Sequence, residues 1–377
     1  MNFCIFFFLL LSTSVWAGEY VVKYRDSKAI SALANLSNVK VLHHHPTGRL
    51  LKIHLPDAGL KAQVLAMEEV ELVVPNFAIT LEAPTVPAEG QVVLWSLDKV
   101  RAQQAWERAA SRGSRDVTVA VIDTGVDYLH PALKDNMVPG YDFVNNRPDG
   151  MDADKHGTHC AGIIGAVATP QNPMSGISPV VSIMPLRFLN PRGLGNFYDG
   201  IRASDYAVAK KVDIISASWG AQISDPGLAQ LLAEMVGRAD AAGVLFVTSA
   251  GNQNRDNDVV TYFPANSPYR SVIAVGATDQ QDKKTAISNY GTNVHVAAPG
   301  HDIWSTVPKG KYEKISGTSM AAPLVAGLAA LMKSVNPKLT PIEIRDILQE
   351  TGVKAEMDNA CGCRIDALAA IERALER

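Results

Sequence analysis

Along residues 19–80 the spacing of apolar positions changes repeatedly, and each change marks an element. EYVVKY (19–24) alternates like a half-buried strand, whereas SKAISALANL (27–36) repeats its apolar residues at helical spacing. VKVLHHH (39–45) and GRLLKIHL (48–55) read as strands on either side of the turn triplet Pro46-Thr47-Gly48. LKAQVLAMEEV (60–70) then reads as a helix and ELVVPNFAIT (71–80) as a last strand. The order β-α-β-β-α-β predicts a small α+β unit of ferredoxin-like type. Proline and small residues dominate EAPTVPAEG (82–90), a composition suited to a mobile, protease-accessible linker.

Beyond the linker the apolar segments become continuous runs. DVTVAVID (116–123), VVSIMPLRF (180–188), VDIISASW (212–219), GVLFVTSA (243–250), SVIAVGA (271–277) and VHVAAPG (294–300) predict strands buried on both faces. Helical patterns fall between them, at GNFYDGIRASDYAVAKK (195–211) and DPGLAQLLAEMVGRADAAG (225–243). TPIEIRDILQETG (340–352) and RIDALAAIERALER (364–377) predict outer helices at the end of the chain. This alternation is that of an α/β fold, a parallel sheet with helices on both faces. No internal repeat or low-complexity tract interrupts it.

Composition narrows the class. With 377 residues, 47% hydrophobic and 19% charged, the chain has enough apolar material for one large core and a smaller one. Its 35 basic and 38 acidic residues nearly balance, so it offers no strong field for nucleic acid or an anionic membrane. The first residues, MNFCIFFFLLLSTSVWAG, give an apolar run from Phe3 to Leu11 and a cleavage-like Val15-Trp16-Ala17. They predict a signal peptide over 1–17, although Lys and Arg are missing ahead of the run; the alternative is an uncleaved interfacial anchor. The run falls short of the roughly 20 apolar residues of a spanning helix, and no later stretch qualifies. The expected chain is therefore secreted, extracellular or periplasmic, with no membrane span once the leader is removed. The domain reading is 1–17 leader, 18–88 small unit and 89–377 large unit.

Cys4 lies in the leader, which leaves Cys160, Cys361 and Cys363, an odd number. Cys361 and Cys363 flank a single glycine; they are compatible with a small-ring disulfide, with a bridge from one of them to Cys160, or with free thiols. Two thiols one residue apart are too few for a structural zinc site, which takes four ligands.

Three short motifs carry the chemistry. V-I-D-T-G-V-D (121–127) places Asp123 at a strand end beside Gly125; H-G-T-H-C-A-G (156–162) opens a helix on His156; G-T-S-M-A-A-P (317–323) puts Ser319 ahead of an apolar helix. A serine hydroxyl is a poor nucleophile until an imidazole takes its proton, and the imidazole needs a buried carboxylate to fix its tautomer. Strand ends and helix starts on one edge of a parallel sheet converge, so residues this distant can meet. A pepsin-like reading of Asp-Thr-Gly fails because that chemistry needs two copies and only one is present. A zincin reading fails because H-E-x-x-H is absent.

With these motifs in the order Asp, His, Ser, the chain resembles the subtilisin family, or subtilases, over about residues 95 to 375. The resemblance implies a subtilisin-like fold, a secreted serine endopeptidase, and Asp123, His156 and Ser319 as its catalytic triad. T-S-A-G-N (248–252) resembles the segment carrying the family's oxyanion-hole asparagine, here Asn252, which would act beside the Ser319 backbone N–H. In subtilisin itself that side-chain donor is worth about 10² to 10³ in turnover. The resemblance further implies that substrate pairs with Ser218, Trp219 and Gly220 on one side and with Gly193, Leu194 and Gly195 on the other. Ala250 and Gly251 would wall the first specificity pocket, and Tyr262 or Phe263 would reach its floor, disfavouring bulky residues before the cut.

The small unit, with V-V-P-N at 73–76, resembles the subtilase propeptide, which assists folding and then blocks the site as a product-like inhibitor. Cleavage is expected between about Leu81 and Gly90. No cofactor is required for the chemistry. Calcium often stabilises this family, but Ala132 stands where many relatives carry an acidic ligand; Asp127, Asp135, Asp142, Asp149, Asp152 and Asp154 are the carboxylates left for a metal, against a reading as solvated loop residues. His159 reads as structural and Cys160 as a small buried hydrophobe whose neighbourhood to His156 would confer sensitivity to mercurials. His43, His44 and His45 read as solvated turn residues, the sharper alternative being a pH switch in the small unit. The expected partners are protein or peptide substrates and the chain's own propeptide. The competing functions are a catalytically silent fold serving as a binding module, and an inhibitor activity of the released small unit.

Overall fold

The computed structural model describes residues 15–81, 94–168 and 174–377. Residues 1–14 of the expected leader and the linker at 82–90 lie outside these. The chain divides into two compact units, one running to Ala78 with Asn196–Tyr198, the other comprising Ile79–Gly195 and Asp199–Arg377.

In the small unit the predicted elements are all present: β1 (Val15–Tyr24), α1 (Lys28–Ala34), β2 (Lys40–His45), β3 (Leu50–His54), α2 (Leu60–Leu65) and β4 (Val70–Thr80). Its strands run antiparallel in the order β2-β3-β1-β4. Val22, Leu51, Ile53 and Val73 from the sheet bury against Ala29, Leu33 and Val64 from the two helices, so period-2 and helical apolar positions share one core. The three histidines are not turn residues: they belong to β2, where side chains alternate, and His44 Nε2 lies 2.8 Å from the Tyr24 hydroxyl.

The large unit opens with α3 (Trp95–Lys99) and α4 (Ala102–Ala109), then β5 (Gly113–Asp123), β6 (Tyr141–Asp142), α5 (His156–Gly165) and β7 (Val180–Arg187). There follow β8 (Leu194–Asn196), α6 (Phe197–Ala209), β9 (Ile214–Ala217), β10 (Ala221–Gln222), α7 (Pro226–Ala241), β11 (Leu245–Ser249), β12 (Tyr262–Phe263), β13 (Val272–Thr278) and β14 (Val296–Pro299). The chain ends through β15 (Ile303–Val307), β16 (Lys311–Ile315), α8 (Thr318–Val335), α9 (Pro341–Glu350), β17 (Val353–Lys354), β18 (Cys363–Arg364) and α10 (Ala367–Glu376).

Nine strands form the main sheet in the order β17-β18-β14-β13-β11-β9-β5-β7-β6, parallel except for β17 at the edge. After β5 the chain builds β7 on one side and β9 on the other. The order therefore reverses at β5, and a crevice opens beyond its carboxyl end, where Asp123 stands. VDIISASW is strand only to Ala217, because Ser218–Gly220 leaves the sheet toward that crevice.

α8 is long and apolar enough to cross a membrane by composition, yet it is largely buried in the core of the large unit. Leu324, Val325, Leu328 and Leu331 belong to the same cluster as Val119 and Val121 of β5, Ile214 of β9 and Val247 of β11. Burying each such side chain is worth about 1.5–3 kcal/mol. Helix ends follow local chemistry: Asp225 caps α7 ahead of Pro226, Thr340 and Glu343 form a reciprocal capping box on α9, and Asp366 caps α10 while pairing with Arg101.

Candidate active site

Asp123 is the last residue of β5 and is 1% exposed; His156 is the first residue of α5 and is 3% exposed. Two local features bring them together. A Cβ on Gly157 would stand 2.0 Å from the Gly125 carbonyl, so only glycine lets α5 start this close to the turn after β5. That turn holds Gly125 at φ +102°, and Thr124 Oγ1 accepts the Gly157 N–H at 2.9 Å. Asp154 accepts the His156 N–H at 3.1 Å. The result is an imidazole whose Nδ1 lies 2.9 Å from both Asp123 oxygens. Nδ1–H donates to the carboxylate, which leaves the Nε2 lone pair available.

Burial alone would lower the His156 pKa. The Asp123 carboxylate outweighs it and holds the imidazole well above the ordinary 6.5.

Ser319 is the second residue of α8. Its carbonyl would accept from residue 323 in a regular helix, but residue 323 is proline and has no N–H. The freed carbonyl instead accepts from the Ser218 hydroxyl at 2.9 Å and the Cys160 thiol at 3.4 Å. The Cys160 sulfur also lies 3.9 Å from His156 Nδ1, so one buried residue touches both the serine and the imidazole. Burial first raises the Cys160 pKa, which keeps the thiol protonated and unreactive, as the small-hydrophobe reading requires. The Ser319 hydroxyl donates to the Ser218 carbonyl at 3.2 Å rather than to His156.

Asn252 follows β11. Its Oδ1 accepts both the N–H and the hydroxyl of Thr318 at 2.9 Å, which fixes the amide orientation because the Thr318 N–H can only donate. Nδ2 is thereby turned outward. A methyl group on Gly317 would stand 3.4 Å from Asn252 Nδ2 and 3.7 Å from both Asn252 Oδ1 and Ser319 N, so the Asn252 amide and the first turn of α8 border one small space. The positive end of the α8 dipole faces the same space.

The cavity at Ser319 is lined by Ser218, Trp219, Gly220, Ser249, Asn252, Tyr262 and the chain's own Thr80 and Leu81. Leu81 N donates to the Gly193 carbonyl at 2.9 Å, and Asn190 accepts from both Gly193 N and Leu194 N, which holds that loop for pairing. Gly195 packs against Phe188 and Leu189 instead of facing the cavity. The expected wall also needs correction. Ser249 at the end of β11 and Asn252 three residues beyond it line the cavity, while Ala250 is fully buried with Val294, Ala297 and Met357. Gly251 contributes no lining and sits beneath Asn289 and Tyr262. Tyr262, not Phe263, reaches the cavity; Cβ atoms on Gly220 and Gly251 would stand 2.4 and 3.0 Å from its ring.

Several supporting residues carry no sequence signal. Asn289 is buried in a loop, donates its amide to the Ala250 carbonyl and its N–H to the Gly251 carbonyl, and so fixes the segment leading to Asn252. Thr318, Thr124 and the Ser218 hydroxyl are likewise ordinary residues until their partners are known.

A family model described as the subtilase family matches residues 114–363. The chain belongs to the subtilase family. It is 42% identical over 250 residues to a thermophilic serine proteinase of Bacillus sp. (strain AK1), covering 66% of this chain and 59% of that one. It is 39% identical over 236 residues to thermitase of Thermoactinomyces vulgaris, covering 63% and 80%. Against subtilisin-like protease 2 of Plasmodium falciparum it spans 20% of the relative's length. Among solved structures, fervidolysin from Fervidobacterium pennivorans, a keratinolytic enzyme related to subtilisin, superposes with a TM-score of 0.81 at 25% identity, covering 96% of this chain and 62% of that one.

In this subtilase most of the carboxylates considered for calcium are already engaged. Asp127 accepts from Leu129 N and Lys309 N, Asp142 pairs with Arg187, Asp149 accepts from Gly150 N and Met151 N, and Asp152 accepts from Thr158 N. These four close turns and cap the loops between β5 and α5, whereas Asp135 and Asp154 are exposed.

Proposed function

We propose that this subtilase is a secreted serine endopeptidase, autoprocessed from an inhibited precursor, with Ser319 as nucleophile, His156 as base, Asp123 as orienting acid and Asn252 in the oxyanion hole. The observation that carries this reading is the His156 Nδ1 contact to Asp123 at 2.9 Å, with Asn252 and Ser319 lining one cavity. Rotation of the Ser319 hydroxyl from the Ser218 carbonyl toward His156 Nε2 lets the imidazole take its proton as oxygen attacks a peptide carbonyl. The carbonyl oxygen becomes anionic beside the Asn252 amide and the Ser319 N–H. His156 then protonates the leaving amine, and a water it deprotonates hydrolyses the acyl-enzyme. No step calls for a cofactor. The resemblance implies structural calcium, which chelation checks by its effect on the thermal midpoint.

The precursor reading is supported by Thr80 and Leu81, which occupy the cavity at Ser319 with Leu81 bonded to Gly193. An extended segment there is positioned as a product would be, and it favours cleavage within the few residues after Leu81. Full-length chain carrying Ser319→Ala tests the whole reading. It is expected to keep its N-terminal unit attached and to lose peptide hydrolysis by about 10⁶, the size of the loss in subtilisin itself. Self-processing by the variant sinks the assignment.

Tyr262 closes the floor of the cavity between Gly220 and Gly251, so small residues before the scissile bond are favoured over large aromatic ones. Cleavage profiles of a peptide library should show that preference, and Tyr262→Gly should relax it about tenfold toward aromatic residues. A native preference for large aromatics refutes this assignment of the floor.

A further inference from the structure

Cys361 and Cys363 form a disulfide around the single residue Gly362, with Cα atoms 5.0 Å apart, while Cys160 is a buried free thiol. A cross-link stabilises a fold by restricting the unfolded chain, and the effect shrinks with the loop it closes. A loop with one intervening residue restricts almost nothing. The fold also holds this loop without the bond: Cys363 N donates to Asn359 Oδ1 at 3.1 Å, Asn359 Nδ2 donates to the Cys363 carbonyl at 3.0 Å, and Gly362 N donates to the Asn359 carbonyl at 3.1 Å. Ala355 N reaches the Gly362 carbonyl, and β18 remains paired with β14 and β17. Gly362 takes φ +59°, and a side chain built on it would meet nothing within 4 Å, so the tip of the loop is open. The two sulfurs differ in access. Cys363 is 3% exposed, with its sulfur lodged against Gly352, whereas Cys361 is partly exposed.

We propose that the Cys361–Cys363 pair is a thiol-exchange site that takes a low-molecular-weight thiol on Cys361 while the protein stays folded. A thiolate attacks the Cys361 sulfur, the S–S bond breaks, and its electron pair leaves on the Cys363 sulfur. The product is a mixed disulfide on Cys361 and a thiol at Cys363. From there Cys363 attacks back and expels the small thiol, or a second thiolate removes the first as a symmetrical disulfide and leaves both cysteines reduced; two thiols are then oxidised for the two electrons the pair gains. Asn359 and the neighbouring strands keep both sulfurs in place throughout, so the reaction is reversible.

The test is incubation of the full chain with glutathione at pH 8 without denaturant, an acid quench, alkylation, and peptide mapping by mass spectrometry. A glutathione adduct on Cys361, with Cys160 and Cys363 free of it and the thermal midpoint changed by only a few degrees, is the expected result. Cys363→Ser removes the internal attacker; given oxidised glutathione, whose S–S bond the Cys361 thiolate opens with release of one reduced glutathione, it should hold the adduct on Cys361 nearly completely. A pair that stays oxidised until denaturant is added overturns the proposal, as does an adduct on Cys363. If Cys363→Ser does not fold, the unsubstituted chain still decides between these outcomes.

Discussion

Two buried histidines three residues apart on α5 behave in opposite ways. His156 and His159 have almost no solvent exposure, yet His156 is held well above the ordinary 6.5 while His159 is lowered to about 3. Burial pulls both down. The difference is the neighbour: His156 faces the Asp123 carboxylate, whereas His159 Nε2 has only the Ile303 and Glu313 carbonyls at 3.1 Å. A formal charge stabilises an imidazolium in a dry site, and two dipoles do not offset the cost of burying it. One turn of helix thus carries both an imidazole paired with a carboxylate and a neutral packing residue.

The sharpest way to break that comparison is Asp123→Asn, which removes the charge and keeps the shape. The alkaline position of the His156 titration should collapse toward lower pH, and kcat/KM should fall by about 10⁴ because the wrong tautomer is favoured. A pH–rate profile measures both effects; an unmoved acid limb would mean that Asp123 does not set the base. Next in size is Asn252→Leu, which asks whether neutral donors suffice for a charge that exists only in the transition state. A loss of about 10² to 10³ in kcat with little change in KM is expected, against a loss confined to KM if Asn252 merely binds substrate.

How far these sites were legible depends on the range of the interaction. The strands ending at Asp123 and Ser249 and the helices opening at His156 and Thr318 follow from apolar runs and their punctuation, while the roles of Asp123, His156, Ser319 and Asn252 rest on the resemblance of their motifs to the subtilases. The floor and wall of the cavity do not. Whether Ser249 or Ala250 faces outward depends on one step of strand alternation, and the choice of Tyr262 over Phe263 on another. Asn289 is beyond local reading because its partners, Ala250, Gly251, Gln253, Arg255 and Asn257, lie in a different loop. The three histidines of β2 carry two readings in the sequence, the end of a strand and a solvated turn, and pairing with β3 decides for the strand. The cysteine pairing stayed open because it is a distance, which residue types do not encode.

His159 offers the smallest expected effect and the cleanest reading of the comparison. Its folded pKa of about 3 lies below the ordinary 6.5 of an unfolded chain, so the unfolded state binds the proton first. Its contribution to stability is therefore complete above pH 6.5 and is lost progressively as pH falls from 6.5 toward 3. His295, lowered to about 3 by burial and then by Arg345, adds a second proton to the same window. His159→Gln keeps an N–H donor for the two carbonyls and removes the titration. The variant should be about 1–3 kcal/mol less stable at pH 8, where the exact imidazole fit is lost, and should lose stability less steeply on acidification. Urea midpoints of the serine-inhibited protein at pH 8, 6, 5 and 4 measure the slope. An unchanged slope would show that His159 accepts its proton within the fold, and the contrast with His156 would then owe nothing to the missing carboxylate.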